Sequence, residues 1–185
     1  MLLQRTIRKR VKVEGIGLHT GQPASVTFRP APTNTGIYFV RTDLPGSPSL
    51  PVHARHVRAT QMATTIGGPA FSISTVEHCL SSLAAFRIDN LIIELNGPEI
   101  PICDGSAHCF MEALLTAGLC DQEEPRKYAY ITQPVFVGDG DKHGYVVPYN
   151  GLRVSCTIEF PHAKIGRQRM DLDVNETSFV REVGR

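Results

Sequence analysis

The spacing of apolar residues changes at Ser74, and this change constrains the fold more than any other feature of the chain. Before it, short runs read as strands: Thr6 to Val13, Ala24 to Arg29, Ile37 to Arg41, Val52 to Val57 and Gln61 to Ile66. They are separated by Gly15, Gly17 and Gly21, by Pro30-Ala31-Pro32, by Pro45-Gly46 and by Gly67-Gly68-Pro69. After it, Val76, Leu80, Leu83 and Ala84 fall on one face of a helix from about Thr75 to Phe86. Leu91 to Leu95 is a short apolar strand. A second helix is expected from about Ala107 to Ala117, with Asp104 or Ser106 as its cap and Gly118 at its C-terminal end. The pattern specifies an α+β fold, a two-layer domain with a sheet on one side and two helices on the other.

Cys120-Asp121-Gln122-Glu123-Glu124-Pro125-Arg126-Lys127 is polar and contains a proline, which makes it the best candidate for a linker. It divides a first domain, 1–124, from a second, 125–185. In the second, Tyr128 to Val137, His143 to Val147 and Leu152 to Phe160 read as strands around a turn at Gly138-Asp139-Gly140-Asp141. Val26-Thr27-Phe28-Arg29-Pro30 followed by Gly36-Ile37-Tyr38-Phe39 loosely echoes Tyr145-Val146-Val147-Pro148 followed by Gly151-Leu152-Arg153-Val154. The echo fits the start of a second, duplicated domain of the same kind. Residues 177–185 resemble the opening of an amphipathic helix too short to be stable alone, so this domain is expected to be truncated.

With 185 residues the chain can bury roughly 70% of the surface it exposes when unfolded. A net charge of +1 gives no general field for nucleic acid. The local cluster Arg5, Arg8, Lys9, Arg10 and Lys12 suits the solvated side of a strand. Five scattered cysteines form no C-x-x-C pair, which excludes a complete intramolecular disulfide framework and suits a reducing cytoplasm. No apolar run approaches the ~18 residues of a membrane span. A soluble, cytoplasmic protein without stable membrane insertion is expected.

The chemistry concentrates in Ser74-Thr75-Val76-Glu77-His78, where a carboxylate and an imidazole stand side by side in the first turn of a helix. A metal-dependent hydrolase uses such a pair, one group to hold zinc and one to take a proton from water. By spacing alone the segment reads first as a capping box, with Glu77 bonding back to the Ser74 amide. Ser81 and Ser82 in the next turn are small enough to leave room for metal and substrate.

Around this pair lie Gly15-Ile16-Gly17-Leu18-His19-Thr20-Gly21, Asn96-Gly97-Pro98-Glu99-Ile100-Pro101 and Asp104-Gly105-Ser106-Ala107. In that order, the segments resemble the N-terminal half of the UDP-3-O-acyl-N-acetylglucosamine deacetylase family, zinc amidases of early lipid A synthesis. The resemblance implies that His78 is one of three protein ligands of a catalytic zinc and that Glu77 is the general base. It implies acetate release from the sugar's acetamide, a UDP-acylsugar substrate and a monomer at full length. The family's other two ligands form a His-x-x-x-Asp pair, absent from this sequence, and neither His143 nor His162 sits in such a motif. The chain alone is therefore expected to be inactive. The resemblance further matches His19 to a loop histidine near the active site. It matches Met62 and Ala63 to a zinc-site segment that commonly reads Leu-Cys. Lys142 would meet the pyrophosphate, and Glu159 and Phe160 the nucleotide, with the ring stacking on uracil. Asp104 is read as a helix cap. A second reading is a non-enzymatic RNA-binding α+β domain, but Gln4 to Val13 lacks the aromatics such a surface interleaves.

Overall fold

The computed structural model describes residues 2–185. They divide into two units, one formed by the chain through Arg126 together with Val180–Arg185, the other by Lys127–Phe179.

The first unit is built from β1 (Leu3–Ile7), β2 (Val11–Ile16), β3 (Pro23–Pro30), β4 (Ile37–Arg41), β5 (Ser49–Pro51), β6 (Val57–Ala59), β7 (Thr65–Gly67) and β8 (Ser72–Ile73). Helix α1 (Glu77–Ala85), β9 (Leu91–Leu95), α2 (His108–Ala117) and β10 (Leu119–Pro125) complete it. A five-stranded sheet runs in the order β2-β3-β9-β4-β5. All its pairs are antiparallel except β4 with β9. Strand periodicity turns Val26 and Phe28 of β3, Phe39 of β4 and Leu91, Ile93 and Leu95 of β9 into one buried layer. Phe110, Met111 and Leu114 of α2 and Leu83 of α1 are buried too, and the Phe28 and Phe110 rings meet with centroids 6.4 Å apart. The sheet-and-two-helix α+β architecture is the expected one. Among the described residues no helix is long and apolar enough to cross a membrane.

Four local expectations are corrected. The basic segment is two strands, β1 and β2, broken at Arg8-Lys9-Arg10. Arg5 is not simply solvated, since its Nε lies 2.7 Å from Asp121 Oδ1. Val52 to Val57 holds a 3-10 turn, Ala54–His56, because the His53 side chain accepts from the Arg55 N–H and Pro51 ends β5. The presumed linker is instead strand β10, paired antiparallel with β1. Its polar side chains have partners there: Gln122 donates to the Ala31 carbonyl and accepts from Asn90. Finally, α1 buries Cys79, Ser82, Leu83 and Ala85 while Ala84 is exposed. The small Cys79 and Ser82 side chains, rather than Leu80, form the face through which the helix packs.

In the second unit β11 (Val135–Asp139) pairs with β12 (Lys142–Val146), and β13 (Arg153–Glu159) pairs with β14 (Arg167–Asp173). Helix α3 (Glu176–Glu182) begins in this unit, and its residues from Val180 onward belong to the first. β14 is a strand that the sequence reading missed, because Arg167-Gln168-Arg169-Met170-Asp171 lacks apolar alternation.

Candidate active site

Three stretches of the first unit converge on one carboxylate. Glu99, 2% exposed, accepts from the His19 N–H at 2.9 Å, the Thr20 N–H at 2.9 Å, the Thr20 hydroxyl at 2.7 Å and the Thr75 hydroxyl at 2.9 Å. Burial alone would raise its pKa. The four hydrogen bonds to its ionised form outweigh burial and hold the pKa at about 2, well below the usual 4.5. The Gly17 residue is required here: a Cβ on it would stand 2.8 Å from the Glu99 carboxyl carbon. This hub ties the His19 loop to Thr75, two residues before Glu77.

Thr75 has φ of 59°, a left-handed conformation uncommon for a β-branched residue. It turns the chain sharply between Ser74 and the helix. The Ser74 N–H is thereby committed to the Pro98 carbonyl at 2.9 Å, and α1 starts after Val76 without a side-chain cap. The capping-box alternative is thus not realised. Glu77 instead turns its carboxylate to Thr64, whose N–H donates to Oε1, while the Val76 N–H donates back to the Thr64 carbonyl. The other oxygen, Oε2, is buried and has no hydrogen-bond partner. A buried carboxylate oxygen without a donor is costly in a folded protein.

His78, a half-buried residue, follows Glu77. Its carbonyl accepts from the hydroxyls of Ser81 at 3.0 Å and Ser82 at 2.9 Å, so both serines are engaged with the helix backbone. Ser82, fully buried, also donates to the Ala107 carbonyl at 3.3 Å, linking α1 to the loop before α2. In that loop the Asp104 carboxylate accepts from the Ser106 N–H and hydroxyl, and Ser106 Oγ accepts from the His108 N–H. Asp104 and Ser106 thus order the loop ahead of α2, while the helix itself starts after Ala107 without a side-chain cap, so the expected Asp104 or Ser106 cap is not formed. The Ser106 hydroxyl holds the Asp104 carboxyl below its ordinary pKa.

Met62 and Ala63 directly precede Thr64, whose N–H donates to Glu77. Met62 is 87% exposed and left-handed at φ 64°. His19 is exposed, and its backbone rather than its ring makes the contact to Glu99. Lys142, Glu159 and Phe160 lie in the second unit. Lys142 pairs with Asp139 in one hairpin, Glu159 with Arg167 in the other, and Phe160 is 48% exposed beside it. Among the described residues no three His, Cys, Asp or Glu side chains gather to hold a metal.

Glu99 and Thr64 are the site residues the sequence reading left without a role. Glu99 carried a signal, an acid inside the apolar Pro98-Glu99-Ile100-Pro101 with no helix to solvate it. Thr64 carried none, because it acts through its backbone.

Residues 4–185 match the family model of UDP-3-O-acyl N-acetylglycosamine deacetylase. The chain is 63% identical to the UDP-3-O-acyl-N-acetylglucosamine deacetylase of Bdellovibrio bacteriovorus, over 99% of this chain and 61% of that protein. It is 45% identical to the enzyme so named from Myxococcus xanthus, over 98% of this chain and 58% of the relative. For that of Shewanella oneidensis the values are 43%, 100% and 61%. The chain therefore spans about three-fifths of the length of these relatives. With the family's segments assembled around Glu77, His78 and Glu99, the chain belongs to the UDP-3-O-acyl-N-acetylglucosamine deacetylase family.

Proposed function

We propose that this chain supplies the general base and one metal ligand of a zinc-dependent hydrolase. The enzyme would remove the N-acetyl group of a UDP-3-O-acyl-N-acetylglucosamine and release acetate in lipid A synthesis. One observation carries the reading: the Glu77 carboxylate is held through one oxygen by the Thr64 N–H and keeps the other buried and unpartnered. Glu77 takes a proton from water as that water attacks the acetamide carbon. The Thr64 amide fixes the direction in which it accepts.

The imidazole of half-buried His78 is the adjacent nitrogen donor, one of the three protein ligands that a catalytic zinc uses. A bound zinc supplies Lewis acidity toward water and toward the acetamide carbonyl. The orphaned carboxylate oxygen and the neighbouring imidazole fit that role, and the remaining ligands would come from the His-x-x-x-Asp pair the family resemblance implies. Met62 and Ala63 would face substrate next to Glu77, and His19 would stand on the loop that Glu99 fastens. Lys142, Glu159 and Phe160 are assigned to the nucleotide, with an ammonium for pyrophosphate and a ring for uracil. The same reading places the enzyme in the cytoplasm as a monomer. Residues 1–124 would form its first domain and 125–185 the start of a second, duplicated one.

The test is acetate release from the UDP-acylsugar by a protein of full family length, before and after chelation and after zinc is returned. Release that stops on chelation and resumes with zinc supports the proposal. Turnover indifferent to chelation, or no release by the zinc-loaded protein, would overturn it.

A further inference from the structure

Cys103 and Cys109 bracket the loop that leads into α2, and their sulfurs are bonded to one another. Their Cα atoms are 6.6 Å apart, inside the roughly 4.4–6.8 Å that disulfides span. The sequence reading saw no C-x-x-C pair; a separation of six residues becomes a pair here because the chain reverses between them. Cys103 at φ 53° and Gly105 at φ 85° make that reversal, and the Gly105 N–H closes it on the Ile102 carbonyl at 3.0 Å. The other thiols are placed differently. Cys79 is fully buried in α1, where desolvation pushes its pKa up, and Cys156 is exposed in the second unit.

We infer that Cys103 and Cys109 form a reversible thiol–disulfide site that locks the Asp104-Gly105-Ser106-Ala107-His108 loop. The closed ring is attached to the rest of the unit on both sides. The Ile102 N–H donates to the Ile16 carbonyl at 2.9 Å, at the end of the strand that feeds the His19 loop. The Ala107 carbonyl, inside the ring, accepts from Ser82 Oγ, which also bonds the His78 carbonyl. Opening the ring loosens a segment bonded through Ile102 to the Ile16 backbone and through Ser82 to the His78 backbone.

The reaction partner is a low-molecular-weight disulfide of the glutathione type. One protein thiolate attacks it and releases one small thiol, leaving a mixed disulfide. The second protein thiolate displaces the second small thiol. Two protein thiols are oxidised to one disulfide, and the small disulfide is reduced to two thiols. The inference does not depend on the deacetylase reading.

The experiment treats the whole 185-residue chain with dithiothreitol or with glutathione disulfide, alkylates the remaining thiols and maps the peptides by mass spectrometry. The expected result is a Cys103–Cys109 cross-link in monomeric protein that dithiothreitol reverses, with slower hydrogen exchange at Gly105 and Ser106 in the oxidised form. Cys103→Ser and Cys109→Ser should each abolish the cross-link. The map of the unmodified chain decides the matter even if a variant fails to fold. Both cysteines still alkylated after oxidation, carrying only glutathione, or linked to Cys120 or Cys156, would overturn the inference.

Discussion

Replacing Glu99 by Gln probes the hub that organises the candidate site. The change preserves shape but converts one carboxylate oxygen to an amide NH2. Oε1 accepts from the His19 N–H and the Thr75 hydroxyl, while Oε2 accepts from the Thr20 N–H and hydroxyl. Either orientation of the amide therefore sets donor against a backbone donor. One part-buried backbone N–H loses its partner, at about 1–3 kcal/mol, and the surviving bonds lose their charge assistance. The pKa leads to a similar size. Its fall from 4.5 to about 2 corresponds to roughly 3 kcal/mol, at about 1.4 kcal/mol per pH unit. Because the folded-state pKa is depressed, this stability is fully present above pH 4.5 and is lost as the pH falls through the range down to about 2. The assay is thermal or urea denaturation of wild type and Glu99→Gln between pH 7 and pH 3. A loss of about 3 kcal/mol at pH 7, near 10 °C in Tm, is expected, with the two proteins converging as the pH falls. Equal stability at pH 7, or a gap that stays constant down to pH 3, would refute the hub.

Gly17→Ala should cost about 1–3 kcal/mol in chemical denaturation, since its methyl group meets the Glu99 carboxylate and the Thr20 hydroxyl, both fixed by their bonds. Ser82→Ala should cost about 1–2 kcal/mol and speed hydrogen exchange in the loop before α2, because its hydroxyl bridges the His78 and Ala107 carbonyls. Zinc content after dialysis of the 185-residue chain should fall well below one per chain, since His78 has no two companions among the described residues. Stoichiometric zinc there would show that another residue, His19 foremost, completes a site.

Where physical signals were local, the sequence was a good guide. β4 and β9 occur at their expected bounds, and α2 and α1 begin one and two residues late. What was not legible depended on distant partners. The polar Leu119–Pro125 becomes a strand because β1 supplies its ladder and Arg5 its counter-charge. That Ser74 and Glu77 form no capping box turned on Thr75, whose left-handed turn is held by Glu99 from 24 residues away. Pattern and propensity do not register such a bond. Nor did scattered cysteine spacing reveal that Cys103 and Cys109 meet.

The central claim, that Glu77 moves the proton while His78 holds the metal, separates cleanly by measuring zinc content and acetate release together in Glu77→Ala and His78→Ala proteins of full family length. Glu77→Ala should keep its zinc and lose roughly 10²–10⁴-fold in turnover, whereas His78→Ala should lose the metal itself. A Glu77→Ala protein that melts early yet turns over at the wild-type rate would contradict the account and leave Glu77 as a structural anchor for Thr64.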